Sequence, residues 1–380
     1  MIIKKLMKIA KSIIPYSILL TFSKYFTKYL LNFFRKKVDL FVPVENAVLL
    51  LEFYQVHGEL LPGYIKYFLD LGYNVDVVLR ELTKKEKKND LGLFSCFNQN
   101  NKVRIKYMSD LDMNLLLRSS ITSCYRHIMI NSFSDGTELY YLSFVDIFRL
   151  KPICVVHNPN LKSRYFQTDR IISLVRMEHL NRKPTPAVNP HYFGEYKASH
   201  KMETSTFAAL NTDNPFRRNV SLLFDACGLL YKKGINSFKI KLIGKGIPVP
   251  ECYRNNIHDF GYLDYNEMFS EIRDSDFFLP LLDQGSFKYA NKASGSYQIS
   301  YGFLKPSLLH KMFSEVSGLN NKNSVLYNDN SGLADAMEKC INMPNDNYIS
   351  LVNALEASEK ELYNTSLDNL RAVLHSAEKE

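Results

Sequence analysis

The first 37 residues contain no acidic side chain, whereas nine basic ones stand there: Lys4, Lys5, Lys8, Lys11, Lys24, Lys28, Arg35, Lys36 and Lys37. Setting them aside leaves 39 basic against 39 acidic residues, so the net charge of +9 belongs to this one segment. A neutral body argues against a nucleic-acid channel and for a local electrostatic anchor. The segment also lacks a long apolar run. Its longest uncharged stretch, Ser12 to Ser23, has 12 residues and includes Pro15, against about 20 for a bilayer-spanning helix. No small-residue cleavage signature follows, so the segment is not read as a signal peptide.

Metal and redox signatures are missing as well. Six cysteines (Cys96, Cys124, Cys154, Cys227, Cys252, Cys340) show neither CxxC nor metal-ligand spacing, and the histidines show no HxxxH. A reducing, cytoplasmic setting fits, and no zinc site is proposed. Asp274 and Asp276 are read as the end of a helix and the start of a strand rather than as metal ligands.

What is present begins with a helical stripe. Thr21, Lys24, Lys28, Asn32 and Arg35 recur every three or four residues among Leu20, Phe22, Tyr25, Phe26, Tyr29, Leu30, Leu31, Phe33 and Phe34. Residues 1–37 are therefore expected to form a basic amphipathic helix lying on an anionic membrane surface. The other 343 residues have an ordinary globular composition, enough for two domains.

Two α/β patterns follow in tandem. The first has strands at 47–53, 75–79, 103–107, 127–131 and 153–157, with helices at 60–71, 110–119 and 138–148. Residues 183–190 (KPTPAVNP) read as a linker after a short strand at 170–175. The second has strands at 206–210, 239–243, 277–281 and 307–309, with helices at 219–232, 265–273, 297–303 and 331–341. The expected fold class is thus α/β, two Rossmann-like domains facing a cleft, spanning residues 38–185 and 186–380. Open parallel sheets bind ligands beyond the carboxyl ends of their strands, so the cleft is the expected site.

Candidate residues cluster at those ends. His57, Gly58 and Glu59 occupy the turn after the first strand, where glycine permits close backbone approach and a helix start favours anions. His157 and Asn158 close the strand PICVVHN. Arg217 and Arg218 lie between strand and helix in DNPFRRN, suited to diphosphate oxygens. Lys245 sits in a Gly-Lys-Gly turn that lacks the rest of a dinucleotide fingerprint or P-loop. Ser294, Gly295 and Ser296, preceded by Lys288 and Lys292, stand before a helix that can cradle phosphate.

In order, NTDNPFRRNVSLLFDACGLL with KIKLIGKG, HDFGYLDYNEMFSEIRDSDFFLPL, and KASGSYQISYGFLKPSLLH resemble the donor half of bacterial GT-B glycosyltransferases related to the large retaining family four. The likeness runs over roughly residues 45–342. It implies a metal-independent transferase of hexosyltransferase type that needs no cofactor and takes a nucleotide-sugar as co-substrate. Arg217, Arg218, Lys245, Ser294, Gly295 and Ser296 would hold the diphosphate, Gly58 would admit the donor sugar, and His157 would face the reacting centre. Glu59 is the one acid suited to act as base, and His57 and Asn158 fall on the acceptor side. The family's paired glutamates, seven residues apart, are absent; Gln298 stands near the second, which leaves inversion and retention both open. The acceptor implied is a lipid-linked saccharide of envelope polysaccharide synthesis, handled at the cytoplasmic face of the inner membrane without nucleic acid. A sugar-nucleotide epimerase of the same fold and a non-catalytic, membrane-associated nucleotide-sugar-binding protein are the alternatives.

Overall fold

The computed structural model describes residues 44–54, 57–81, 92–133, 150–157, 170–175, 185–197, 200–210, 217–282, 294–329 and 331–376. The amphipathic segment 1–37, the helix expected at 138–148, Asn158, Lys288 and Lys292 lie outside them.

The first sheet grows from β1 (Ala47–Glu52), whose six residues are all buried. A near-continuous apolar strand belongs at the centre of a parallel sheet covered on both faces. β1 pairs in parallel with β2 (Asn74–Arg80) on one side and β4 (His127–Phe133) on the other. β3 (Val103–Met108), β5 (Ile153–Val156) and β6 (Ile171–Ser173) complete the order β3-β2-β1-β4-β5-β6. Between β1 and β2 runs α1 (Leu61–Asp70), with Pro62 in its first turn, where a missing N–H costs nothing. It stops at Gly72, whose positive φ of 87° lets Tyr73 N donate to Phe68 O. α2 (Asp110–Arg118) starts from Ser109, which accepts from Asp112 N.

The second half repeats this plan. β7 (Ser205–Leu210), β8 (Phe238–Ile243), β9 (Ile257–Gly261) and β10 (Phe277–Leu279) form a parallel sheet ordered β10-β7-β8-β9. A parallel bridge from Phe278 to Ser307 joins it to the pair β11 (Leu308–His310) and β12 (Val325–Tyr327). The order across this half is therefore 9-8-7-10-11-12, matching 3-2-1-4-5-6 in the first. α3 (Val220–Lys232) is capped by Asn219 and α4 (Tyr265–Arg273) by an Asp264–Glu267 capping box. α5 (Gly295–Gly302) leads towards β11, α6 (Gly332–Ile341) follows β12, and α7 (Asn345–Ser376) ends the fold.

β10 is two residues shorter than expected. Pro280 has no N–H for the ladder, and Leu281 takes a left-handed φ of 48°, a conformation costing a non-glycine residue about 1–2 kcal/mol. The suspected linker also differs: Ser173 N donates to Pro186 O and Val188 N to Ser173 O, so its described part pairs with β6. Pro-rich sequence here meets the sheet edge through an isolated bridge, Ala187 to Ser173.

α7 ties the halves together. Its 32 residues span about 48 Å, and its later part reaches the first half, where Leu370, Val373 and Leu374 join the core with Tyr64 and Phe68. Asn189 N donates to Ser366 Oγ, Asn369 Nδ2 to Ala187 O, and Tyr363 OH to Asp70. One apolar core runs through the junction, from Val48 and Leu50 by way of Val188 and Phe193 to Ala208 and Phe303.

Candidate active site

In both sheets the strand order reverses at the first strand, and such switch points open crevices at the carboxyl ends. In the first half the reversal lies between β1 and β4, where Glu52 and Asn131 meet. Glu52 is fully buried. Its Oε1 accepts from Tyr54 N at 2.8 Å, and its Oε2 accepts from Ser132 Oγ at 2.8 Å and from Asn131 Nδ2. Burial pushes the Glu52 carboxyl above its usual range, and these three hydrogen bonds and the nearby His57 pull it back.

Asn131 also reaches the two histidines. Its Nδ2 donates to the His57 carbonyl at 2.8 Å, and its own carbonyl accepts from His157 Nε2 at 2.8 Å. A carbonyl only accepts, so Nε2 of His157 carries a proton. The rings of His57 and His157 stack, 4.2 Å apart and 7° from parallel. His57 Nδ1 stands 3.6 Å from Glu59 Oε1, with both side chains 29% exposed. Gly58 is buried in the short helical turn Gly58–Leu60. The structure thus brings together His57, Gly58, Glu59 and His157, and adds Glu52 and Asn131, which sequence reasoning missed. The available signal was a carboxylate closing the apolar run AVLLLE.

At the second reversal, between β7 and β10, Arg218 Nη1 donates to Pro280 O, Asn219 N donates to Leu281 O at 2.7 Å, and Arg218 bridges to Leu282. The arginine loop is laced to the end of β10, which holds Leu281 in its left-handed conformation. Arg217 is exposed beside it. Lys245 is exposed at the end of β8, following Gly244, whose N–H donates to Gly261 O at 2.8 Å.

The Ser-Gly-Ser turn starts α5 two residues earlier than expected, because Ser294 takes the N-cap and accepts from Ser296 N. Ser294, Ser296 and Gln298 are 5% exposed or less. Among the described residues, Ser296 Oγ and both amide atoms of Gln298 have no hydrogen-bond partner. Across the cleft, a Cβ placed on Gly295 would stand 3.8 Å from Glu59 Oε1. The two candidate turns therefore face one another.

The aspartate pair is structural: buried Asp276 accepts from Met202 N and Thr206 N, while Asp274 is exposed beside Arg273. A groove of about 520 Å³ near Thr204, Gly234, Lys239 and Asn255 lies at the opposite, amino end of the second sheet, with no carboxylate or imidazole in its lining. Among the described residues no helix is long and apolar enough to cross a membrane.

No protein-family model and no curated protein matches the chain. Solved structures do. The crystal structure of TarM is 9% identical, aligned over 87% of this chain and 99% of that one with a TM-score of 0.59. A mutant of S. aureus TarM in complex with fondaparinux, alpha-GlcNAc-glycerol and UDP gives 9%, 87%, 99% and 0.61. AviGT4, a glycosyltransferase involved in avilamycin A biosynthesis, gives 9%, 87%, 98% and 0.55. Near-complete coverage of those chains, together with two parallel sheets of matching strand order, places this protein in the GT-B glycosyltransferase fold.

Proposed function

We propose that the protein is a glycosyltransferase that moves a sugar from a nucleotide-sugar to a lipid-linked saccharide, with residues 38–185 forming the acceptor domain and 186–380 the donor domain. The observation that carries this reading is the approach of Glu59 to Gly295, which sets an imidazole and carboxylate cluster opposite a helix start. The UDP in the TarM complex supports the choice of donor class. The unsatisfied Ser296 Oγ and Gln298 amide supply buried polar groups for donor oxygens.

As the sugar leaves, negative charge grows on the diphosphate. The start of α5, with Ser294, Gly295 and Ser296, would stabilise it, aided by Arg217, Arg218 and Lys245 from the neighbouring strand ends. Gly58 leaves room for the donor sugar. His157 and Glu59 face the reacting centre, and His57 and Asn158 the acceptor. Closure of the halves would keep water from the activated sugar.

Thermal unfolding with UDP, GDP or ADP tests donor binding. At 100 times its Kd, the fitting nucleotide should add about 2.7 kcal/mol of apparent stability. If none of the three raises Tm, the donor assignment is wrong. Release of nucleoside diphosphate that depends on acceptor then identifies a transferase; an epimerase would convert the nucleotide-sugar without one.

The basic segment 1–37 would hold the enzyme peripherally at the cytoplasmic face of the inner membrane. Deleting it is expected to lower activity on membrane-embedded acceptors and leave nucleotide stabilisation intact. Loss of both would make the segment part of the fold instead.

A further inference from the structure

Asn131 contacts both histidines, the His57 carbonyl through its amide and the His157 ring through its backbone carbonyl, and its amide is also held by Glu52. Its Nδ2 lies between two groups that only accept, the Glu52 carboxylate and the His57 carbonyl. Its Oδ1 is buried without a partner among the described residues. Turning the amide over would satisfy Oδ1 nowhere along this line and would set oxygen against oxygen on both sides. Glu52 and the His57 carbonyl therefore together hold Nδ2 in place. That orientation fixes the His57 carbonyl, and with it the turn that lays the His57 ring on His157.

We infer that Glu52 is a positioning residue of the reacting centre: it anchors the Asn131 amide, which holds the His57 carbonyl and so keeps the His57 ring stacked on His157. The inference rests on the proposed transferase reading for its catalytic meaning, although the geometry stands without it. The pair faces Glu52 from β1 and Glu59 from its own turn, with neutral Asn131 and Ser132 from β4 and Gly295 beyond Glu59. Of the two carboxylates, Glu59 is 29% exposed and screened by water, whereas Glu52 is fully buried. Burial raises the Glu52 carboxyl above its ordinary range, and its three donors and His57 act against that rise.

A merely structural Glu52 would close the β1 turn and leave the imidazoles as they are. The distinguishing experiment follows the histidine Cε1–H resonances of the full chain by NMR as pH is raised, in wild type and in Glu52→Gln. The variant should move the Cε1–H resonance of His57, His157 or both at a fixed pH, since the ring-on-ring contact changes when the Asn131 amide loses its anchor. Folded Glu52→Gln with both resonances at their wild-type positions would overturn the inference. A second measurement needs no substitution: the ¹³Cδ resonance of Glu52 in wild type should shift through the same pH range as the imidazoles, and a flat response there would also overturn it.

Activity supplies the catalytic part. Glu52→Gln should reduce kcat about tenfold, with the donor KM unchanged. Unchanged kcat would refute a positioning role. Should wild type transfer no sugar at all, the transferase reading fails on that result alone, and the NMR titrations still decide whether Glu52 positions the pair.

Discussion

Replacing His157 by alanine is expected to lower kcat by about 100- to 10,000-fold, the range for losing a positioned acid–base group. The ring stands at the carboxyl end of β5, with Nε2 committed to the Asn131 carbonyl and one face covered by His57. The role proposed for this ring is to exchange a proton with a substrate hydroxyl. Donor binding should survive, because the diphosphate is assigned to the start of α5 in the other half. Nucleotide-induced stabilisation in His157→Ala should therefore match wild type. His157→Gln separates geometry from proton transfer. Its amide can still donate to the Asn131 carbonyl and keep the strand end in place, yet it cannot titrate. If proton transfer is the contribution, the glutamine variant stays as slow as the alanine variant. Wild-type turnover in either variant would remove His157 from the mechanism.

Much of the fold could be read from residue pattern, and the reasons are local. AVLLL and ICVV are continuous apolar runs, and VDVV is broken only by Asp76; such runs suit strands covered on both faces. α1 carries its stop in Gly72, and α4 its start in the Asp264–Glu267 box, so their bounds fell within a residue or so. The misses arise where distant chain decides the outcome. Residues 183–190 read as a linker because prolines disfavour sheet interiors, yet Ser173 supplies an edge on which their described part pairs. α7 passed unassigned because its polar residues are so numerous; its apolar contacts are split between two halves of the molecule.

The site divides in the same way. His57, Glu59, His157 and the Ser-Gly-Ser turn announced themselves through residue type at strand ends. Glu52 did not, because one acid at the end of an apolar run resembles a strand reaching water, and in the fold it is fully buried. Asn131 was counted as the last residue of a strand. Only the reversal of strand order, a property of the whole sheet, brings β1 and β4 side by side and makes these two residues neighbours.

The largest effect on stability is expected from Gly302→Ala, and its cause lies at the junction rather than in either sheet. Residues 190–193 pass between the halves through a gap set by two helix glycines. A Cβ on Gly63 of α1 would lie 2.5 Å from the Cα of Pro190, and one on Gly302 of α5 would lie 2.1 Å from the His191 carbonyl and 2.5 Å from the Phe193 ring. Neither obstacle is the free end of a flexible chain. His191 is almost wholly buried, and its ring is held at 2.9 Å by both the Asn189 carbonyl and Glu359 of α7. Phe193 stacks on Phe303 and meets Phe269. The added methyl must therefore displace backbone and core together. Overpacking of this kind costs about 3 kcal/mol, which lowers Tm by about 4 °C in a chain of this length. Gly234→Ala is the control. Its φ of 75° strains an alanine, but nothing lies within 4 Å of the new methyl, so the cost should stay near 1 kcal/mol. Gly302 is also the last residue of the helix whose first turn carries Ser294 and Ser296. An outward shift of α5 would withdraw that turn from Glu59, so turnover should fall at temperatures where Gly302→Ala is still folded. A Tm within a degree of wild type would mean that the junction yields to the methyl and does not fix how the halves meet.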